Sequence, residues 1–461
     1  MKQLKRQLGL RQAVAVGVGG TIGGGIFVLV GAAAGVAGPA VLLSFVLAFV
    51  ASLLIALPYA ELSSRFPLAG GGYAFAKAVF DRGWAFLLGW AYWGAYVFIS
   101  GYVTLGFGGY LQLLTGIPGL VGAEILIALV TTMNLIGLRV SGKAQATLVA
   151  GSVVVLAGFA VTGLSHVEAQ NFSPFFPSAS GGVLAAALLA FLAFGGFDMV
   201  ASAGEEVTRP ERNLPLAILL TLALVLGLYL VVAYVAVGTV PLARLGASSV
   251  PLSEAAAAIF GPELGPRLVG MAAILTTAAT ANAVLIVTSR VTFAMSRDGM
   301  LPSALSAIRA SSTAPWASVL LNGFLIALVP LLGSVVLVAT IGGFLYVLHF
   351  MFPIAAVVVL RRRERKARPS RSSFRVPAGS IVLPLSFVAC AILIVASGFI
   401  GIAVGSFWLG LGVVLWWSGL LGGRLKNREA GGNEVFPRHA EGPVNERPQT
   451  GEETDQKQKV N

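Results

Sequence analysis

The sequence predicts an all-α membrane protein with twelve transmembrane helices. The chain has 461 residues, of which 57% are hydrophobic and 11% charged, whereas soluble domains carry roughly 25% charged residues. Apolar stretches of about 20 residues, the length that crosses a bilayer core of roughly 30 Å, follow one another from Val14 to Leu421. A soluble globular protein is therefore excluded.

The apolar stretches divide into the predicted helices at short polar or basic segments. Their boundaries are expected at residues 12–36, 39–64, 83–113, 119–138, 143–164, 181–204, 214–239, 266–297, 316–333, 335–360, 380–399 and 402–422. An even number of spans places both termini on the same side of the membrane. The single cysteine, Cys390, excludes an intramolecular disulfide and a cysteine-based metal site.

The basic residues predict the orientation. If the N-terminus is cytoplasmic, all but two of the 31 Lys and Arg residues fall in cytoplasmic segments, the exceptions being Arg244 and Arg267. Cytoplasmic loops of membrane proteins are enriched in Lys and Arg, so we expect both termini in the cytoplasm and the chain in the plasma membrane. The net charge of +12 is then a topology signal, and the expected partner is membrane lipid rather than nucleic acid.

Two of the predicted helices, the first and the sixth, contain glycine clusters. The first has glycine at 19, 20 and 23–25, and the sixth has Gly195 and Gly196 before Asp198. Each glycine costs roughly 1 kcal/mol relative to alanine in a helix interior, so both helices are expected to be broken. Unwound backbone at membrane depth survives only where it is buried in protein or lines a cavity. Glycines on a helix-packing face are the alternative explanation.

The spacing of the two clusters predicts the domain organisation. They stand five spans apart, as expected of two five-helix repeats of inverted orientation. The predicted organisation is a cytoplasmic N-terminus at 1–11, a first repeat at 12–164, a second repeat at 181–360, two further helices at 380–422 and a disordered cytoplasmic tail at 424–461. The tail is expected to be disordered because its polar composition cannot bury a core.

Several motifs, in this order along the chain, resemble those of one transporter family. They are Gly-x-x-Ile-Gly-x-Gly-Ile-Phe at 19–27, Tyr59-Ala60-Glu61-Leu62 with Phe66-Pro67 and Gly70-Gly71-Gly72-Tyr73, Gly195-Gly196-Phe197-Asp198, Glu205-Glu206 with Pro210, Arg212, Asn213, Leu214 and Pro215, and Ser289-Arg290 with Ser296-Arg297-Asp298-Gly299. Over residues 10–422 the chain looks like an amino acid permease of the amino acid–polyamine–organocation superfamily. The resemblance implies a leucine-transporter-like fold of five plus five inverted helices with two extra, and secondary transport of amino acids by alternating access.

The resemblance also implies a substrate site. The carboxylate and ammonium of an amino acid match the N–H end and the C=O end of an interrupted helix. The backbone at Gly23, Gly24 and Gly25 would receive the carboxylate, and carbonyls of Thr21 or Ile22 and of the sixth-helix break would receive the ammonium. Glycine is expected there because a Cβ would fill the space where the substrate meets the main chain. The predicted substrate-binding residues are Thr21, Ile22, Gly23, Gly24, Gly25, Phe191, Phe194, Gly195, Gly196, Phe197 and Asp198.

The side chains of the sixth helix carry alternative interpretations. Phe191, Phe194 and Phe197 would form a lid and side-chain pocket, or else be packing or lipid-facing aromatics. Asp198 is an acid at membrane depth and therefore a functional candidate. It would carry a proton, favour a cationic substrate, or only cap the second half-helix. The acids Glu61, Glu205 and Glu206 are expected to pair with Arg65, Arg209 and Arg212.

The coupling ion is left open between Na⁺ and H⁺, and no organic cofactor is expected. Proton-coupled members of the family carry a Lys where this sequence has Ser152, which puts that proton mechanism in doubt. A cation would instead meet unwound carbonyls of the first helix, Gly20 among them, and the hydroxyls of Thr277 and Thr280. Bonding of each Thr to its own helix is the alternative. His349 would be a buried neutral imidazole with one partner, or a proton relay.

Other functions fit the sequence less well. A polyamine or other organocation transporter or exchanger of the same fold is one alternative, and a channel or membrane receptor is another. Ion filters usually need repeated subunits around an axis, and the sequence has no large extramembrane segment that would bind a receptor ligand. Enzyme motifs such as H-E-x-x-H and G-x-S-x-G are absent from the sequence. We therefore predict a transporter and no enzyme.

Overall fold

The protein is described here from a computed structural model that covers residues 8–66, 71–137, 142–176, 181–198, 200, 207–308, 315–364 and 374–419. Within these residues the chain is helical and forms no strand, apart from one isolated bridge between Leu8 and Val207. The α-helices are α1 (Leu10–Thr21), α2 (Gly24–Ala37), α3 (Val41–Arg65), α4 (Gly71–Val79), α5 (Arg82–Thr115), α6 (Gly119–Leu135), α7 (Gly142–Gly163), α8 (Gly181–Ala193), α9 (Pro210–Thr239), α10 (Leu242–Ala247), α11 (Pro251–Phe260), α12 (Leu264–Arg297), α13 (Trp316–Leu328), α14 (Val335–Glu364), α15 (Gly379–Ala396) and α16 (Gly398–Ser418).

Many of these helices are long and apolar enough to cross a membrane. In the described part of the chain, eight segments meet that condition: Gly24–Arg65, Arg82–Thr115, Thr147–His166, Pro210–Thr239, Leu264–Arg297, Val335–Glu364, Gly379–Ala396 and Gly398–Ser418. Shorter apolar helices occupy Gly119–Leu135, Gly182–Ala193, Pro251–Phe260 and Trp316–Leu332. The chain is therefore a multi-pass, all-helical membrane protein.

The break predicted in the span at 12–36 is present, because this span consists of two helices, α1 and α2. The segments predicted as loops differ from the prediction, since they contain the short helices α4, α10 and α11. Hydropathy over windows of about 20 residues overlooks helices of this length. The predicted tail at 424–461, most of the basic run after Glu364, and the acids Glu205 and Glu206 lie outside the described residues.

The interior is built around the long helix α5. Its N-terminus is capped by Asp81, whose carboxylate accepts the Trp84 N–H at 3.1 Å, and it ends at Gly116 with φ +78°. α5 packs against α12 and α14, while α9 packs against α1 and α3, and α2 against α8. The two predicted helix breaks are thus enclosed by protein, as unwound backbone at membrane depth requires.

A buried ion-pair network, here called the Glu61 network, joins α3, α14 and the segment that leads to α15. Glu61 is fully buried and accepts bonds from Arg65, Arg361 and the backbone N–H of Val376. Arg65 also bonds to Glu364 at 2.5 Å, and Glu364 pairs with Arg375 at 2.8 Å. The predicted pairing of Glu61 with Arg65 is confirmed.

Glu61 has a second partner, Arg361, that was not predicted from the sequence, and it lies within reach because α14 packs beside α3. The expected pairing of Glu205 and Glu206 with Arg209 and Arg212 falls outside the described residues. The network fixes the last turns of α3 and α14 to each other and to the following segment.

Replacing Glu61 tests the energetic role of this network. Glu61→Gln removes the negative charge between two guanidinium groups, and breaking a buried ion pair costs about 3–5 kcal/mol. We expect a clear drop in the thermal unfolding midpoint of the detergent-solubilised protein. The matched control is Glu263→Gln, which breaks the exposed pair with Arg267 and should have little effect because surface ion pairs contribute about 0–1 kcal/mol. Equal midpoints for the two variants would contradict this role.

Candidate substrate-binding site

The first helix interruption lies between α1 and α2. α1 ends at Thr21, and α2 starts at Gly24 after two residues, Ile22 and Gly23, that are not helical. The first N–H groups of a helix have no partner within it. The N-cap residue of α2 is Gly23, which has no side chain that could accept a bond from them. The Gly24 N–H donates to the hydroxyl Oγ1 of Thr280 on α12 at 3.2 Å. The positive end of α2 therefore points its amide groups into the protein interior.

The carbonyl of Thr21, at the C-terminal end of α1, is already fully engaged. It accepts the Gly23 N–H at 2.8 Å and the Tyr229 hydroxyl at 2.9 Å. A carbonyl oxygen has two lone pairs, so this group has no capacity left for a substrate ammonium in this conformation. Tyr229 was missed by the sequence analysis, although a tyrosine inside an apolar helix needs a hydrogen-bond partner when buried.

The second interruption follows α8. The helix ends at Ala193, and the residues from Phe194 to Asp198 form turns. Gly196 has φ +113°, in the region that favours glycine over residues with a Cβ. Residues 199 and 201–206 lie outside the described part of the chain. The prediction that Asp198 caps the following half-helix concerns these residues and therefore lies outside the described part of the chain.

The two interruptions touch each other through their backbones. A Cβ added at Gly25 would lie 2.7 Å from the Cα of Ala193, and one added at Gly196 would lie 2.9 Å from the N of Thr21. Close backbone approach therefore explains these two glycines without a ligand. At Gly23 and Gly24 the added Cβ would meet side chains instead, Thr280 Oγ1 at 2.7 Å and Thr277 Cγ2 at 3.1 Å.

This contact corrects one sequence-based argument. The glycines were expected to leave space for a substrate, but in this conformation protein atoms fill the space at each of Gly23, Gly24 and Gly25. The neighbours of Gly23 and Gly24 are threonine side chains, which can move, whereas the neighbour of Gly25 is backbone. The room for a ligand beside Gly23 and Gly24 is thus closed by two side chains of α12.

The phenylalanines of the second interruption face the interior. Phe191, Phe194 and Phe197 are fully buried, so the lipid-facing alternative is wrong. The Phe197 ring stacks on Phe350 with centroids 5.4 Å apart, and the Phe194 ring lies 5.5 Å from that of Tyr229. These aromatic rings therefore form the walls around the paired interruptions.

Asp198 is held by two tyrosines. It is 2% exposed, and its oxygens Oδ2 and Oδ1 accept the hydroxyls of Tyr96 at 3.3 Å and Tyr346 at 3.1 Å. In the described part of the chain it pairs with no basic side chain. The sequence analysis identified the acid but neither of the tyrosines, which lie on α5 and α14.

A small cavity of about 30 Å³ lies beside the first interruption. Its lining includes Gly20, Ser152, Thr276 and Thr280, and the hydroxyls of Ser152 and Thr276 bond to each other. Thr277 is not part of the lining; its Cγ2 lies beside Gly24 instead, and its hydroxyl donates to the Ala273 carbonyl at 2.6 Å. Of the predicted coupling-ion residues, the structure brings together Gly20, Ser152 and Thr280, and adds Thr276 in place of Thr277.

The close contact at Gly25 gives a direct test of the helix packing. Gly25→Ala places a Cβ against the Ala193 backbone, and overpacking of this kind costs about 1–3 kcal/mol. We expect a lower thermal unfolding midpoint for this variant. Gly158→Ala in α7 is the control, because its Cβ would meet nothing within 4 Å and alanine favours the helix by about 1 kcal/mol. A midpoint for Gly25→Ala equal to that of Gly158→Ala would contradict the close approach.

Comparison with known proteins identifies the family. Residues 8–418 match the family described as amino acid permease. The branched-chain amino acid permease of Bacillus subtilis is 31% identical over 442 residues, which cover 90% of this chain and 93% of that protein. The methylthioribose transporter of the same organism is 32% identical over 415 residues, covering 84% of this chain and 88% of that protein. The vacuolar cationic amino acid transporter 2 of Arabidopsis thaliana is 33% identical over 399 residues, which cover 81% of this chain and 62% of that protein.

These relatives are transporters and not enzymes. The match extends over nearly all of the chain and includes both helix interruptions. The chain belongs to the amino acid permease family, within the amino acid–polyamine–organocation superfamily.

Proposed function

We propose that the protein is a secondary active transporter that moves amino acids across the plasma membrane by alternating access. The observation that carries this proposal is the pairing of two interrupted helices, in which the start of α2 contacts the end of α8 and the end of α1 contacts the turn after α8. Helix interruptions at membrane depth are where transporters of this kind bind substrates. Membership in the amino acid permease family supports the same substrate class.

The proposed topology has twelve spans, built from two inverted five-helix repeats and two further helices. Its domains are those expected from the sequence, with repeats at 12–164 and 181–360 and both termini in the cytoplasm. The distribution of Lys and Arg supports this orientation. The interruptions after Thr21 and after Ala193 occupy corresponding places in the two proposed repeats.

In the proposed site, the substrate carboxylate binds the free amides at the start of α2. For this the Thr280 hydroxyl must leave the Gly24 N–H, which it accepts now. The ammonium would bind the carbonyl of Ile22 and those of the second interruption, because the Thr21 carbonyl has two donors already. The substrate side chain would then lie among Phe191, Phe194 and Phe197, with Gly195, Gly196 and Asp198 completing the site.

Conformational change follows from how tightly the site is closed. The two interruptions are in backbone contact, so a substrate can enter only when α1 and α2 move relative to α8 or when α12 withdraws its threonines. Alternating access would open this contact to one side of the membrane at a time.

Uptake into proteoliposomes tests the proposed function. We expect saturable counterflow of labelled leucine or labelled lysine, since relatives are described as branched-chain and cationic amino acid transporters. Unlabelled substrate should compete, and empty liposomes provide the background. Flux that never saturates would indicate a channel. Uptake of putrescine or methylthioribose without any uptake of amino acids would contradict the proposal and favour another substrate class.

The cavity beside Gly20 contains most of the residues predicted to bind a coupling cation, and its donor set can be compared with known cation sites. Hard cations such as Ca²⁺ and Mg²⁺ are bound by about six or more oxygens that usually include a carboxylate. The lining here offers neutral groups only, and the hydroxyls of Ser152, Thr276 and Thr280 all take part in hydrogen bonds. A water molecule needs about 10–15 Å³ of such space, so the proposed occupant is water rather than a divalent cation, and the alternative occupant, Na⁺, is tested by the following experiment.

Sodium dependence tests this assignment. We expect counterflow and accumulation to be the same in sodium and in choline buffers, and Thr280→Val to leave that insensitivity unchanged. Thr288→Val, on the same helix and bonded to its own helix carbonyls, is the matched control. If Na⁺ stimulates amino acid uptake, and this stimulation disappears in Thr280→Val but persists in Thr288→Val, the cavity binds a cation and is not simply filled with water.

A further inference from the structure

A cluster of buried polar side chains extends from the second helix interruption towards the Glu61 network. Its members lie on α3, α5 and α14 and at the second interruption, and each is at most 8% exposed. They are Tyr59, Tyr92, Tyr96, Asp198, Tyr346 and His349. Polar groups are costly inside a membrane protein unless they are paired or functional. Substrate binding at the backbone of α2 leaves most of this cluster without a role.

One end of the cluster is the carboxylate of Asp198. It accepts the Tyr96 and Tyr346 hydroxyls, which are neutral donors, and in the described residues no cation compensates its charge. An ionised carboxylate in a low-dielectric interior is expensive without such a partner. The acid is therefore placed where binding a proton removes an uncompensated charge.

The other end of the cluster is formed by His349 and Tyr59. The His349 ring lies 5.0 Å from that of Tyr346 and 4.9 Å from that of Tyr92, so it is in contact with the groups around Asp198. Among the described residues, no group makes a hydrogen bond of ordinary geometry with either ring nitrogen of His349 or with the Tyr59 hydroxyl. Buried polar atoms are nearly always bonded to protein or to water, so these groups require an explanation.

Gly72 leaves space for a water molecule that could bond to these groups. A Cβ added to Gly72 would lie 3.7 Å from the Tyr59 hydroxyl oxygen and 3.9 Å from Cδ2 of His349. The missing side chain leaves room beside both unpartnered groups, and a buried water typically makes two to four hydrogen bonds to such groups. A water molecule there would join His349 to Tyr59, six residues before the end of α3 at Arg65.

The remaining charged groups on the surrounding helices are occupied elsewhere. On α3 and α14, Glu61 and Arg361 bond to each other, and on α4, Lys77 pairs with Asp298 at 2.9 Å. The titratable groups that face Asp198 and His349 from α3, α5 and α14 are tyrosines, which are neutral at physiological pH. In the described part of the chain, Asp198 and His349 are thus the carboxyl and the imidazole of the cluster, the two kinds of group that most often accept and pass on protons in proteins.

We propose that Asp198 is the proton-binding carboxyl of this transporter, and that His349 and water beside Gly72 connect it to the aqueous side at the Arg65 end of α3. A proton from that side binds a ring nitrogen of His349. The imidazolium then releases a proton through the intervening hydroxyls and water to the carboxylate, which leaves a neutral imidazole and a neutral acid. The inference rests on the proposed function, because Asp198 follows Phe197 directly and its charge would be sensed at the substrate site.

Proton counting tests the role of Asp198. Amino acid is added to purified protein in weakly buffered detergent solution with a pH dye, and its Kd is measured calorimetrically at several pH values. The wild type should take up a proton as substrate binds, and its Kd should rise about tenfold per pH unit on the alkaline side. Asp198→Asn should take up no proton when it binds amino acid, and its Kd should be independent of pH. Tyr110→Phe, which removes a buried hydroxyl bonded to the Phe27 carbonyl, should behave like the wild type.

Two further variants test the route. His349→Gln and Tyr59→Phe keep the carboxyl, so they should leave the Kd and its pH dependence unchanged but slow accumulation driven by a pH gradient several-fold. Unchanged rates in both variants would overturn the route. Tyr346→Phe removes a donor to Asp198 and must shift the pH midpoint of binding, which provides a second test of the carboxyl if Asp198→Asn does not fold.

The outcomes separate this inference from the proposed function. Amino acid binding by the wild type without proton uptake, or proton uptake retained in Asp198→Asn, would overturn the inference and leave amino acid transport intact. Failure of the wild type to bind or exchange any amino acid would overturn the proposed function itself.

Discussion

The structure depends on how the backbone groups freed by two helix interruptions are satisfied inside a membrane. Lipid offers no hydrogen bonds, so each freed N–H and C=O must find a partner within the protein. Here the Thr21 carbonyl is bonded by Tyr229, and the Gly24 N–H by Thr280. The partners are hydroxyl groups, which exchange for a ligand at small cost because a single neutral hydrogen bond contributes only about 0.5–1.5 kcal/mol net. In the proposed site, the substrate carboxylate would therefore replace the Thr280 hydroxyl at the Gly24 N–H, whereas Tyr229 would stay bonded to the Thr21 carbonyl.

Helix α14 connects the interior to one end of the molecule. The same helix carries Tyr346, which bonds to Asp198, and Arg361, which bonds to Glu61. Both partners lie on other elements, the second interruption and α3. Any displacement of α14 relative to α3 would therefore disturb the hydrogen bonds around Asp198 and the Glu61 network together. In the proposed transport cycle, substrate binding at the interruptions and opening at the Arg65 end would therefore be linked through one helix.

Local features of the sequence were predictable, and long-range partners were not. The first interruption follows from glycine propensity and membrane length, which act within one helix, and the structure has it at Ile22 and Gly23. Tyr229, Tyr96 and Arg361 bond to groups roughly 100–300 residues away in sequence, and no local pattern identifies such pairs. Likewise Thr276 and Thr277 are adjacent in sequence, and only the packing of α12 against α7 decides that Thr276 meets Ser152.

The glycines at the two interruptions look alike in the sequence but are required for two different reasons. Gly25 and Gly196 are explained by backbone contact between the interruptions, whereas Gly23 and Gly24 face movable side chains. The sequence shows that each of these residues lacks a Cβ, but it does not show which atoms lie beside the position that a Cβ would occupy. Distances to Ala193 and Thr280 distinguish the packing glycines from those beside which a ligand can fit.

Cryo-electron microscopy of the protein with its transported amino acid bound tests the central claim most directly. The account predicts ligand density between the start of α2 and the turn after α8, with the carboxylate within hydrogen-bond distance of the amides of Gly24 and Gly25, and with Thr280 moved off the Gly24 N–H. Density for the amino acid elsewhere, with the Gly24 to Thr280 bond and the Gly25 to Ala193 contact unchanged, would contradict it.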